Sequence, residues 1–251
     1  MQLCPGRPAE ERVAVGDRIA SLISLSLTPL RLDEVKAVRT ASAQLDVVGE
    51  AVLFASSPYA RMPADMNERL ALAVLDVAGA APQVARLVRQ DAVVVILGAG
   101  GKSGIMCAAE ARRRAGRGGT VVGVESYAPF ADELEKLALC NHVVRVDARQ
   151  PMATREAVLA ATGGREADLV LSCVNVPDVE MTAILCTRDR GVAYFFAMST
   201  SFTKAALGAE GVGKDVDLVM GNGFAHGHAE HSLSMLRDLP EVRALFERRY
   251  G

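Results

Sequence analysis

The chain has 251 residues, 50% of them apolar, and its 28 basic and 30 acidic residues leave a formal net charge of −2. That is enough apolar material for a substantial core. The basic residues are spread rather than clustered, which excludes the electrostatic footprint of a nucleic-acid binder, and no apolar run approaches the ~20 residues that cross a bilayer.

The N-terminal stretch "MQLCPGRPAEERVAVGD" lacks the apolar centre of a signal peptide, so the expectation is a cytoplasmic protein with no membrane partner. Cys4, Cys107, Cys140, Cys173 and Cys186 form neither a C-x-x-C pair nor an even set, and they read as reduced packing residues. In "VAVGDRIASLISLSLTPL" a turn signal at Gly16 and Asp17 leads into a β-like run. Residues 1–62 are too few to enclose a core of their own. They are expected to be the tail of a domain whose front is not in this chain, or a segment that leans on the rest of the chain or on another subunit. The need for apolar cover makes a homo-oligomer the expectation.

Pro63 and Asp65 precede a helical pattern, "MNERLALAVLDVAGAA", with Leu70, Val74 and Val77 along one side. From residue 92 onward β-branched runs alternate with helix-period segments. The spacing predicts strands at Val93–Leu97, Thr120–Val124, Val143–Val146, Leu169–Cys173, Val192–Ala197 and Val216–Met220. Several are apolar without a break, as in parallel strands buried on both faces. Helices are predicted at Ser103–Ala115, Asp132–Leu139, Arg155–Ala161 and Val179–Cys186, then in "HAEHSLSMLRDL" and beyond Pro240. The pattern describes an α/β, doubly wound parallel sheet of the Rossmann kind over residues 63–251.

The first strand runs into "GAGGKSG". A phosphate-gripping P-loop would need a glycine at position 96, where the chain has Ile96, so a nucleotide kinase is disfavoured. The dinucleotide reading fits better. Gly98 allows the turn out of the strand, Gly100 and Gly101 allow close approach of backbone to a pyrophosphate, and Gly104 allows helix–sheet contact. Lys102 and Ser103 open a helix whose amides would face the phosphates. The last glycine stands one residue later than in strict G-x-G-x-x-G. Glu125, with Ser126 after it, ends the second strand where a carboxylate accepts from ribose hydroxyls, favouring NAD over NADP. Cys173, Val174 and Asn175 end the fourth strand, and Met198 and Ser199 the fifth; these are expected to wall the nicotinamide half, with ordinary strand–helix connections as the alternative.

His226, His228 and His231 fall in "HGHAEH" with Glu230. No fourth ligand is obvious nearby, so no metal is expected. His228 and Glu230 are candidates for substrate binding or proton transfer, beside a plain solvated helix start.

The segments "VGDRIASLISLSLTPL", "LDVAGAAPQVARL", "VILGAGGKSGIMCAAEARRRAG", "SCVNVPDVE" and "GNGFAHGHAE" together resemble the L-erythro-3,5-diaminohexanoate dehydrogenases, and more distantly the medium-chain dehydrogenases. The resemblance implies that residues 1–62 are part of a GroES-like domain whose front is absent. It implies oxidative deamination of a diamino acid with NAD, or with NADP, giving 5-amino-3-oxohexanoate and ammonia. It also directs attention to Ser26, Thr28 and Asn222 for the substrate. The rivals are another alcohol or enone oxidoreductase and a non-catalytic dinucleotide-binding module.

Overall fold

A computed structural model describes residues 13–22, 28–54, 56–221 and 223–251. The chain divides into two compact units, one of residues up to Asp76 together with Leu236–Gly251, the other Val77–Met235.

In the first unit, β1 (Ile19–Ser21) pairs antiparallel with β4 (Tyr59–Arg61), and β2 (Leu30–Arg39) with β3 (Gln44–Ala51). The β2–β3 hairpin was not predicted. Its apolar residues, among them Leu32, Val38 and Leu45, remain exposed, so the one-face alternation that marks a half-buried strand is missing. Helix α1 (Glu68–Leu75) starts at Asn67, whose Oδ1 accepts from the Leu70 amide at 2.8 Å. It packs against α9 (Pro240–Tyr250), and Asp65 receives the guanidinium of Arg237 at 2.9 Å.

The second unit is the expected parallel sheet. The strands are β5 (Val93–Leu97), β6 (Thr120–Val124), β7 (His142–Val144), β8 (Ala167–Ser172), β9 (Thr187–Phe195) and β10 (Asp217–Met220). Their order is β10-β9-β8-β5-β6-β7, and every neighbouring pair is parallel. The chain winds outward from β5 in one direction, then returns to its other side for β8. The crevice for a ligand in such a sheet lies where the winding reverses, between β5 and β8.

All five residues of β5 are buried. Val94 and Ile96 pack with α2 (Ala80–Leu87), α3 (Lys102–Ala115) and Leu134 of α4 (Ala128–Leu137). Val93, Val95 and Leu97 pack on the opposite face with Val158 of α5 (Pro151–Thr162), Ala183 of α6 (Glu180–Cys186) and Ala205 of α7 (Phe202–Gly211). This two-sided burial is what an unbroken β-branched run requires.

Several boundaries differ from expectation for local reasons. The helical stretch after Asp65 ends at Leu75, and α2 begins only after Gly79, where a Cβ would stand 2.4 Å from the Gly223 carbonyl oxygen. Helices α4 and α5 start four residues early because Pro129 and Pro151 fit the first turn. Helix α4 stops at Leu137, since Ala138 turns left-handed at φ 51°. Helix α7 was missed altogether: its small residues and two glycines carry little amphipathic signal. Helix α8 (His228–Asp238) stands where expected.

Candidate functional site

The loop leaving β5 is fastened by its own backbone. Gly98 takes φ +74°, and the amides of Gly98 and Ala99 both donate to the Val124 carbonyl at the end of β6, at 2.9 and 3.1 Å. The positive φ is the reason a glycine stands there. At Gly104 the reason is space, because a Cβ would lie 2.1 Å from the Gly98 carbonyl oxygen. At Gly100 it would lie 2.6 Å from Cβ of Phe130. Gly101 differs: only the Gly98 carbonyl oxygen, at 3.6 Å, comes within van der Waals range. As the N-cap of α3, Gly101 offers no side chain to the first-turn amides, and Lys102, Ser103 and Gly104 occupy that turn. The helix therefore presents the positive end of its dipole at the carboxyl edge of the sheet.

Glu125 is brought to this loop. Its Oε2 accepts from the Gly100 amide at 3.1 Å and its Oε1 from the Tyr127 amide at 2.9 Å, with the residue 9% exposed. An ionised carboxylate has about four acceptor positions, so these two bonds leave capacity for two more. A cleft of about 180 Å³ opens beside it at the carboxyl ends of β5, β6, β7 and β8, lined by Gly98, Glu125, Ser126, Asp147, Arg149 and Val174 among others. A larger, shallower hollow of about 560 Å³ lies at the opposite ends of the strands, around Val93, Asp168 and Arg188. Two of its three arginines, Arg155 and Arg188, are ion-paired to Glu166 and Asp168. The smaller cleft is the one at the sheet edge where this fold takes ligands.

The far wall is made by the β8–α6 and β9–α7 loops, which are clasped together. Ser199 Oγ donates to the Val176 carbonyl at 3.0 Å and lies 3.3 Å from that of Val174. The buried carboxylate of Glu180 accepts from the Ser201 amide at 2.6 Å, and Lys204 pairs with Asp178. Asn175 and Met198 are exposed at this edge, Met198 by 76%. Cys173 turns its sulfur toward Cys107 of α3.

The remaining candidates are distributed as follows. His228 is buried, with its ring edge-to-face on Phe224 at a centroid distance of 4.9 Å, and burial pushes its pKa below the usual histidine value. His231 Nε2 stands 3.5 Å from Oε2 of Glu110, a fully buried carboxylate that also receives Arg113 and Arg114. His226 and Glu230 are exposed. Among the described residues no set of three or more histidine, cysteine, aspartate or glutamate side chains has the arrangement to hold a metal ion. Thr28 belongs to the first unit, its Oγ1 3.4 Å from Ser21 Oγ. Ser26 and Asn222 lie outside the described residues.

Two cleft residues escaped the sequence reading. Asp147 and Arg149, ion-paired at 2.6 Å, follow the third strand, and Arg149 holds the Asp147 carboxyl below its ordinary range. The signal was present as polar residues just past a strand's carboxyl end. Phe130, which packs on Gly100, and Tyr127, edge-to-face with it at 5.0 Å, had no sequence signature.

Comparison with known proteins agrees with this architecture. Residues 2–63 match the model of the L-erythro-3,5-diaminohexanoate dehydrogenase N-terminal domain. The L-erythro-3,5-diaminohexanoate dehydrogenase of Acetoanaerobium sticklandii is 50% identical over 94% of this chain and 69% of its own length. That of Fusobacterium nucleatum is 48% identical over 94% of this chain and 68% of its own. Among solved structures, an alcohol dehydrogenase from Thermotoga maritima superimposes with a TM-score of 0.59 at 15% identity, covering 80% of this chain and 55% of that one. That likeness bears on the fold alone, a parallel sheet preceded by antiparallel strands. With relatives at about half identity across nearly the whole of it, the chain belongs to the L-erythro-3,5-diaminohexanoate dehydrogenase family.

Proposed function

We propose that this chain is a nicotinamide-dependent dehydrogenase that oxidatively deaminates L-erythro-3,5-diaminohexanoate with consumption of one water, giving 5-amino-3-oxohexanoate and ammonia, with NAD as the preferred carrier. The observation that carries the reading is the junction of Gly100 and Glu125: a buried carboxylate bonded to the glycine loop, beside a cleft at the sheet's switch point. The residues present fit a dinucleotide. The first turn of α3 supplies amides for a pyrophosphate. The two acceptor positions left on Glu125 suit the 2′- and 3′-hydroxyls of a ribose, and its negative charge repels a 2′-phosphate.

A bound nicotinamide would supply the two-electron acceptor. The chain's own work is to hold the substrate so that C3 faces that acceptor and to take a proton from the C3 ammonium, because only the neutral amine can assist oxidation at its carbon. His228 is suited to that proton, since burial keeps the imidazole uncharged at neutral pH. Glu230, two residues on in the first turn of α8, is assigned to the substrate's second ammonium, and Asn222 to its carboxylate.

Titration with NAD, NADP and magnesium ATP, followed by assay of NADH and ammonia with 3,5-diaminohexanoate, tests the reading. Ammonia and NADH in equal amounts are expected. NADH formed from alcohols without ammonia would instead favour a different medium-chain oxidoreductase, and dinucleotide binding without any turnover would favour a non-catalytic module.

A further inference from the structure

Cys107 and Cys173 are 66 residues apart in sequence and meet behind the glycine loop with their sulfurs 3.7 Å apart. Cys107 is in the second turn of α3 and fully buried; Cys173, the first residue beyond β8, is partly exposed. The Cys173 amide donates to the Leu97 carbonyl at 2.9 Å, which fixes its backbone to the end of β5. An attackable thiol backed by a buried one within reach is the arrangement of a dithiol that can be oxidised and resolved. Closing 3.7 Å to the ~2.05 Å of an S–S bond takes under about 2 Å of sulfur movement. The other described cysteines have no such neighbour: Cys186 packs on the opposite face of the sheet, and burial pushes the Cys140 and Cys186 thiols up to about 12.

We propose that Cys107 and Cys173 form a reversible dithiol–disulfide modification site that ties α3 to the end of β8. The oxidant is a low-molecular-weight disulfide such as glutathione disulfide. The Cys173 thiolate attacks one sulfur of it and expels one glutathione thiolate, giving a mixed disulfide. Cys107, whose proton passes to the departing thiolate, then attacks Sγ of Cys173 and expels the second glutathione. Two protein thiols lose two electrons and two protons, and one small disulfide becomes two thiols. The order of events follows from the partners. Hydrogen bonding from Cys173 together with burial pushes the Cys107 thiol well above its ordinary value, so Cys107 resolves rather than initiates.

The placement couples the site to the cleft. Val174, next to Cys173, packs against Gly98, where a Cβ would meet its Cγ2 at 2.9 Å. Drawing Cys173 toward α3 moves that wall relative to the helix carrying the phosphate-facing amides. The coupling rests on the dinucleotide reading; the disulfide itself does not.

The test treats the whole native chain with glutathione disulfide and reads intact mass and peptide maps. The expected result is loss of two hydrogens, no retained glutathione, a single link between Cys107 and Cys173, and full reversal by dithiothreitol. The C107S variant should retain one glutathione on Cys173, and C173S should form no link. If C107S does not fold, the wild-type map and C173S still decide. A wild-type chain that stays unmodified, keeps glutathione, or links through Cys4, Cys140 or Cys186 overturns the proposal. Cross-linked protein should bind NAD at least threefold more weakly than reduced protein, and equal affinity overturns the coupling. Failure of the reduced chain to bind NAD at all would count against the dinucleotide reading and leave the mass result standing.

Discussion

Replacing Gly104 with alanine puts the packing of the glycine loop to the test. The new Cβ would stand 2.1 Å from the Gly98 carbonyl oxygen and 2.7 Å from Cα and C of Ala99, all backbone atoms that cannot rotate away. Nonbonded carbons settle near ~3.5 Å, so the first turn of α3 must move off the loop by roughly 1 Å. Overpacking a core costs about 1–3 kcal/mol, and the upper end applies where backbone must yield. For a unit of this size about 3 kcal/mol lowers the melting temperature by roughly 6–12 °C. G101A is the matched control. Its Cβ meets only an oxygen at 3.6 Å and its φ of −76° suits any residue, so the loss should stay under about 1 kcal/mol, the difference between glycine and alanine at an N-cap. Beyond that oxygen the side of Gly101 is open, and on the proposed dinucleotide reading an alanine methyl there would meet the ligand. G101A should bind NAD about tenfold more weakly while melting as the wild type does. Melting is followed by circular dichroism, since the chain has no tryptophan, and binding by calorimetry. A G104A protein that melts with the wild type, or a G101A protein that melts as low as G104A, would refute the reasoning.

E125Q leaves two amides, the buried one of Gly100 and the part-buried one of Tyr127, facing one acceptor and one donor; it should cost about 1–3 kcal/mol and narrow the gap between NAD and NADP affinities, read by paired titrations. The His228 imidazole, held below its ordinary value, binds its proton more readily in the unfolded chain, so stability falls as pH drops from about 6.5 toward the folded pKa. Urea titrations at a series of pH values should show that slope, at most about 1.4 kcal/mol per pH unit, and H228N should reduce it. Burial raises the Asp168 pKa, but hydrogen bonds from Arg188 at 2.7 Å and the Val93 amide at 2.8 Å outweigh it and hold the carboxyl low. Its contribution is thus present above about 3.9 and lost as pH falls through the folded value. D168N should destabilise by about 1 kcal/mol at pH 7, and the difference from wild type should vanish in acid urea melts.

What could be read from the residue pattern follows burial closely. Strands β5 and β6 were placed to the residue because short runs rich in β-branched residues with almost no polar side chain suit a sheet covered on both sides. Strand β9 begins five residues before its apolar part, in "TRDR", where Arg190 takes φ 59° and the register to β8 shifts; no hydrophobic pattern marks such a start. The site was legible in its local parts, the glycines and the acid after the second strand. Its long-range parts were not. That Glu125 would bond to the amide of Gly100, 25 residues earlier, or that Glu180 would cap the turn at Ser201, depends on which strand ends the topology brings together. Cys107 read as a packing residue, and Cys173 as a packing residue or a cleft wall, for the same reason, since their pairing depends on the topology that sets α3 beside the end of β8.

The loop's anchors bear on how such a site would bind. Gly98 and Ala99 hang from Val124, Gly100 hangs from Glu125, and Gly104 rests on Gly98, so the turn is held at three points by protein atoms. A loop fixed in this way loses little freedom when a ligand arrives, and affinity is gained by lowering the ordering cost rather than by adding contacts. The opposite wall is fixed differently, by Ser199 and Glu180 joining two loops to each other. Cutting that clasp with S199A should leave the glycine turn intact, because none of the three anchors passes through it. If the proposed dinucleotide binds here, the glycine side would set the position of its phosphates, and the clasped side, which none of those anchors holds, would be the part free to adjust to what is bound beyond them.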